Sequence, residues 1–140
     1  MAERALSIRP FQAADETAIV SLWQLCELTV PRNNPDKDIA RKLKVQPELF
    51  LVGMLESFLT ASVMGVYNGH RVWINYLAIH LNFQCQVYGQ HMMENIEAKL
   101  RKTGCPKINL QIRSGNDKIK GFYQKLGFTD DRALSLGKRL

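Results

Sequence analysis

The chain has 140 residues, 46% of them hydrophobic, and a formal net charge of +6; residues 1–140 suit a single domain that buries roughly two-thirds of its unfolded surface. No stretch approaches the roughly 18 apolar residues needed to cross a bilayer. The opening MAERALSIRP lacks the apolar run of a signal peptide, so neither a membrane nor export is expected. The positive excess is dispersed and comes without a helix-turn-helix, zinc-finger or aromatic RNA-binding signature, so nucleic acid is not an expected partner.

In chain order, residues 7–9 predict a short strand closed by Pro10. Asp15 predicts the cap of a first helix reaching about Leu28, with Ile19, Leu22, Trp23 and Cys26 on one face. Asn34 before Pro35 predicts a second helix to about Lys44, whose Arg41 and Lys42 read as a solvated pair. Residues 49–55 and 59–67 predict a hairpin turning at Glu56 and Ser57, and Asn68-Gly69 returns the chain along 71–79. Tyr88, Met92, Ile96 and Leu100 lie four apart on a long helix that Gly104-Cys105-Pro106 ends. Residues 107–113 alternate as a strand, Ile119, Phe122, Tyr123 and Leu126 line a last helix, and 128–136 predict a final strand.

This order predicts an α/β (α+β) fold in which a right-handed crossover sets strands 71–79 and 107–113 parallel. The sheet is expected to be mixed, twisted and mostly antiparallel, with about six or seven strands and four helices.

The chemistry concentrates in two places. Strand 71–79 feeds the polar loop NFQCQVYG and then a helix N-terminus. Unpaired amides and the positive end of the helix dipole converge there, and such a site wants phosphate. The run from Asn116 to Phe128 is a helix that carries Tyr123 on its apolar face and stops at Gly127. Together they point to a transferase using a phosphorylated carrier. Cys26, Cys85 and Cys105 are odd in number and lack metal-ligand spacing, so free thiols in a reducing cytoplasm are expected. His70, His80 and His91 have no HxxxH or HExxH arrangement, so no metal is expected.

With these elements the chain resembles the GNAT superfamily of N-acetyltransferases, and more closely the small bacterial acetyltransferases of the YpeA type. The resemblance runs through LFLV at 49–52, VMGVYNGHR at 63–71, GCPKI at 104–108 and LSLGKRL at 134–140. It implies acetyl-CoA as the acyl donor and a sheet splayed at the central parallel pair of strands, 71–79 and 107–113. The family's pyrophosphate loop, Q/R-x-x-G-x-G/A, falls on Gln84, Cys85, Gln86, Val87, Tyr88 and Gly89, with Leu77, Ala78 and Ile79 along the pantetheine arm. Val87 replaces the central glycine, which crowds the phosphate or strains the backbone unless the chain is helical there. Cys85 stands where a second glycine is frequent. The second motif, N-x-x-A-x-x-F/Y-Y-x-K-x-G-F, matches at Asn116, Phe122, Tyr123, Lys125, Gly127 and Phe128, with Ile119 in place of alanine.

The resemblance further implies that Asn116 contacts the coenzyme and that the Tyr123 hydroxyl protonates the departing thiolate. The acceptor is a primary amine, on a small molecule or a protein, which attacks the thioester directly while an amide near Leu77 or Ala78 stabilises the oxyanion. Two general-base readings stay open: a water relay ordered by Asn75 and Tyr76, and Glu27. Small enzymes of this fold often pair, so a homodimer is a candidate assembly. The rival reading is a non-catalytic acyl-CoA-binding or interaction module on the same scaffold.

Overall fold

The computed structural model describes residues 5–29 and 34–140, which divide into two compact units, Met1–Leu110 and Gln111–Leu140. In the first, five apolar runs pair in chain order as β1 (Ser7–Pro10), β2 (Phe50–Leu55), β3 (Phe58–Tyr67), β4 (Val72–Ile79) and β5 (Ile108–Leu110). Strands β1 to β4 are antiparallel. Strand β5 runs parallel to β4 through Val72↔Ile108, Trp73↔Asn109 and Ile74↔Leu110, and the connecting helix α3 (Tyr88–Lys102) makes the expected crossover. The ladder stops at Ile74, so β4 continues five residues past its last β5 partner.

Helices α1 (Glu16–Leu25) and α2 (Pro35–Lys42) cover one face of this sheet. Their Ile19, Leu22, Trp23 and Ile39 pack with Phe50, Val52, Met64 and Ala78 in one buried cluster. Helix α3 covers the other face with Met92 and Ile96, which reach positions Gly53 and Gly65 so closely that a Cβ there would lie 2.9 Å from Met92 Sδ and 3.1 Å from Ile96 Cδ1. Tyr88, Met92, Ile96 and Leu100 are all buried, as their spacing predicts. The second unit holds α4 (Asp117–Lys125).

Several expectations are corrected. Among the described residues the sheet has five strands, not six or seven. Residues 128–136 form no strand because a turn interrupts them: Arg132 N–H donates to Asp130 Oδ1 at 2.7 Å, and Arg132 takes a φ of 55°. Leu134 and Leu136 are each 86% exposed, so their alternation buries nothing. The alternation at 107–113 is longer than the three-residue β5, since a strand extends only as far as a partner backbone does.

Helix α1 stops at Leu25 instead of about Leu28. Leu28 N–H donates to Trp23 O at 2.9 Å and Glu27 N–H to Gln24 O at 3.0 Å, a Schellman closure with Glu27 at φ 57°. Asp15 precedes α1 without capping it; its carboxylate instead takes Gln12 N–H at 2.8 Å and both arms of Arg9 at 2.7 and 2.9 Å. Asn34 does cap α2, accepting from Lys37 N–H at 3.2 Å. Lys42 is not solvated. It is 4% exposed and donates to Gly65 O at 2.6 Å and Val45 O at 2.8 Å.

Candidate active site

The central feature is a β-bulge in β4. Ser62 pairs with Ala78 and Met64 with Asn75, so three steps along β4 match two along β3, and Tyr76 sits in the extra step at φ 51°. A non-glycine residue holds that left-handed conformation at a cost of about 1–2 kcal/mol. The surroundings enforce it at three points. The Tyr76 ring stacks on Trp23 with centroids 3.8 Å apart, its hydroxyl donates to Asp38 Oδ2 at 2.8 Å, and its carbonyl accepts from Ser62 Oγ at 2.8 Å.

Past the bulge, His80 N–H donates to Thr60 O at 2.8 Å. Antiparallel ladders alternate, so Ser62↔Ala78 is the next hydrogen-bonded pair, and the main-chain groups of Leu77 and Ile79 turn away from β3. The predicted pantetheine positions therefore divide: Leu77 and Ile79 present their amides and carbonyls to the edge that β5 leaves uncovered, while Ala78 is buried and bonds to β3. The Ile79 carbonyl is already engaged, by Gln84 Nε2 at 2.9 Å and Cys26 Sγ at 3.2 Å.

The loop from His80 to Val87 makes one tight turn at Leu81–Phe83, with His80 Nδ1 accepting from Asn82 N–H at 3.2 Å. Gln84, Cys85 and Gln86 are exposed. Val87 sits at φ −84°, ψ −1°, a right-handed conformation open to any residue, so the feared backbone strain does not fall on it. It falls on Cys85, at φ 60°, where the glycine frequent in related loops would be free of it. No side chain caps α3, and its first intrahelical bond at this end is His91 N–H to Val87 O at 3.0 Å. The amides of Tyr88, Gly89 and Gln90 therefore lack helical acceptors at the positive end of a fifteen-residue helix. Tyr88 itself is buried beside Phe83 and His91 and offers only its backbone.

Of the acceptor-side candidates, Asn75 is exposed and Tyr76 is bound to Asp38. Glu27 is exposed just beyond Cys26, whose thiol burial pushes above its ordinary pKa. Asp38 was not foreseen. It lies 38 residues from Tyr76, and no local pattern marks it; its other oxygen holds Arg41 at 2.7 Å. Ser62 was likewise missed, whereas Trp23 was marked only as a helix-face residue.

In the second unit, Asn116 caps α4, its Oδ1 accepting from Ile119 N–H at 3.4 Å. Gly127 closes the helix at φ 96° with Phe128 N–H on Tyr123 O at 3.1 Å. Tyr123 is 7% exposed between the rings of Phe122 and Phe128, at 5.0 and 5.6 Å, and burial pushes its hydroxyl up to about 12. Among the described residues no cluster of His, Cys, Asp or Glu could hold a metal ion, and no helix is long and apolar enough to cross a membrane.

Comparison with known proteins agrees with this architecture. The model of the acetyltransferase (GNAT) family matches residues 13–128. An acetyltransferase of Yersinia enterocolitica, YE1169, is 41% identical over 135 residues, covering 96% of each chain. Among solved structures, Ard1 of Thermoplasma volcanium superposes with a TM-score of 0.77 at 22% identity, over 89% of this chain and 83% of its own. AAC(6')-Iy, in complex with the bisubstrate analogue CoA-S-monomethyl-acetylneamine, gives 0.74 at 15% identity over 97% and 99%.

Proposed function

This chain belongs to the GNAT family of acetyltransferases, and we propose on that footing that it moves an acetyl group from acetyl-CoA to a primary amine by direct attack on the thioester. The observation that carries the proposal is the succession of two outward-facing sets of backbone amides, Leu77 and Ile79 beyond the β5 ladder and then the uncapped first turn of α3. It matches a ligand with an amide-bearing arm at one end and a pyrophosphate at the other. Gln84, Cys85, Gln86, Val87, Tyr88 and Gly89 supply the phosphate cradle through their backbone, and the outward-facing Leu77 and Ile79 line the arm, with Ala78 between them held on β3. Asn116 adds a coenzyme contact through its amide nitrogen, since its oxygen is spent on α4. On this reading residues 1–140 are a single acetyltransferase domain, working in the cytoplasm.

The uncharged amine attacks the thioester carbonyl, and negative charge gathers on its oxygen, where the Leu77 N–H stabilises it. The C–S bond then breaks, the thiolate leaves with the electron pair, and Tyr123 gives it a proton. A phenol held near 12 keeps that proton through the neutral range, although its match to a thiolate is looser than an unperturbed phenol would give. The amine loses its own proton to water ordered by Asn75 and the Tyr76–Asp38 pair, with Glu27 the competing base. The acceptor is an amine on a small molecule or a protein.

Calorimetric titration with acetyl-CoA tests the reading. Micromolar binding supports it; no heat at millimolar coenzyme would leave a non-catalytic scaffold.

A further inference from the structure

Ser62 lies in the middle of β3, fully buried. Its hydroxyl stands between two groups of fixed character: Trp23 Nε1–H, 2.9 Å away, can only donate, and the Tyr76 carbonyl, 2.8 Å away, can only accept. The hydroxyl must therefore accept from the indole and donate to the carbonyl, with no alternative rotor. That bond holds the Tyr76 carbonyl toward β3, the strand that carries Ser62. A planar trans peptide points its N–H opposite to its C=O, so the same bond aims the Leu77 N–H away from β3, at the edge of β4 beyond its last β5 partner. Tyr76 at φ 51° is not a conformation the strand would choose unaided. Trp23 and Asp38 hold its ring, and the Ser62 hydroxyl grips the peptide plane that follows it.

We propose that Ser62 is a positioning residue for the acyl-transfer step, orienting the Leu77 amide toward the thioester carbonyl through its bond to the Tyr76 carbonyl. The assignment rests on the acetyl-CoA reading above. It differs from a packing role in what it affects. Free coenzyme A has a thiol where acetyl-CoA has a carbonyl, so a misaimed Leu77 amide weakens the second ligand and leaves the first alone.

The test is isotope-edited infrared spectroscopy of acetyl-CoA labelled at the acetyl carbonyl, with calorimetry of acetyl-CoA and coenzyme A, on the full chain. In the unmodified protein the bound carbonyl band should move to lower frequency. Ser62→Ala should lose at least half of that shift and about tenfold in preference for acetyl-CoA over coenzyme A, with coenzyme A affinity unchanged, and Ser62→Thr should restore both. If the alanine variant does not fold, Ser62→Cys fills the same space with a weaker donor and should show an intermediate shift. Trp23→Phe keeps the ring stack and the Ser62 donor and should keep most of the shift. A carbonyl band that the alanine or cysteine variant leaves where it was, or an equal loss of both ligands in a folded variant, would overturn the assignment alone. Failure of the unmodified protein to bind acetyl-CoA would overturn the proposed function and this assignment with it.

Discussion

The hydroxyl of Tyr76 donates to Asp38 Oδ2 at 2.8 Å, joining the bulge of β4 to α2 across 38 residues of sequence. A phenol whose proton is committed to a carboxylate has only lone pairs left to offer, so it receives hydrogen bonds from an incoming amine or its water. Asp38→Asn and Tyr76→Phe should each raise the acceptor KM by about tenfold, the equivalent of about 1.4 kcal/mol, while calorimetric acetyl-CoA affinity stays constant. Steady-state kinetics with an acceptor found by amine screening checks this. Glu27→Gln should leave the pH-rate profile unchanged; a lost or shifted acid limb would move the base assignment to Glu27.

Tyr123→Phe should lower kcat by about 10²–10³ while acetyl-CoA binds as before. The hydroxyl must be protonated to act, so its contribution is present at neutral pH and falls only as pH rises toward about 12. Across neutral pH the variant should change the height of the rate profile and not its shape.

In the loop between β4 and α3, the proposed phosphate cradle, the strained residue is Cys85 and not Val87. Cys85→Gly should stabilise the fold by about 0.5–1 kcal/mol in urea melts, whereas Val87→Gly should cost stability and add little coenzyme affinity. The same geometry gives an acceptor-free assay. Cys85 is exposed, while Cys26 is half-buried, bonded to Ile79 O and raised in pKa. Iodoacetamide should label Cys85 first, and saturating acetyl-CoA should slow that labelling at least tenfold.

Stability should depend on pH through Asp15. Arg9, bonded to it through both arms, holds its carboxyl below the ordinary aspartate value. A carboxyl whose pKa is lower folded than unfolded contributes stability above about pH 4 and loses it as pH falls through the folded value. Thermal melts between pH 7 and 3 should show Tm falling at the acid end, and Asp15→Asn should start lower and flatten that slope.

The sequence was legible where structure follows from neighbours. The Asn34 cap, the Glu56-Ser57 turn and the glycine stops at Gly104 and Gly127 rest on interactions within a few residues, and the stripe of Tyr88, Met92, Ile96 and Leu100 was marked by its spacing alone although the sheet is what buries it. What failed depended on partners elsewhere. The alternation at 128–136 meets a local turn and no ladder, and Lys42 finds its acceptor 23 residues away on Gly65. The candidate site shows the same division: its loop and the strand before it were readable as a motif, but the bulge at Tyr76 was not, and Asp38 and Ser62 reach Tyr76 only once the fold is made.

The extra step at Tyr76 also exchanges the two sides of a single strand. Before it, Ile74 stands beside Gly65 on the layer facing α3; after it, Ala78 joins Trp23 and Met64 in the opposite layer, although both numbers are even. In a regular pleat residues 74 and 78 would share a side. Straightening β4 without removing a residue would carry the small Ala78 to the wrong layer and bring the bulkier Ile79 against Trp23, whereas deleting Tyr76 itself would restore a regular pleat in which Ala78, then three places from Ile74, still stands beside Trp23.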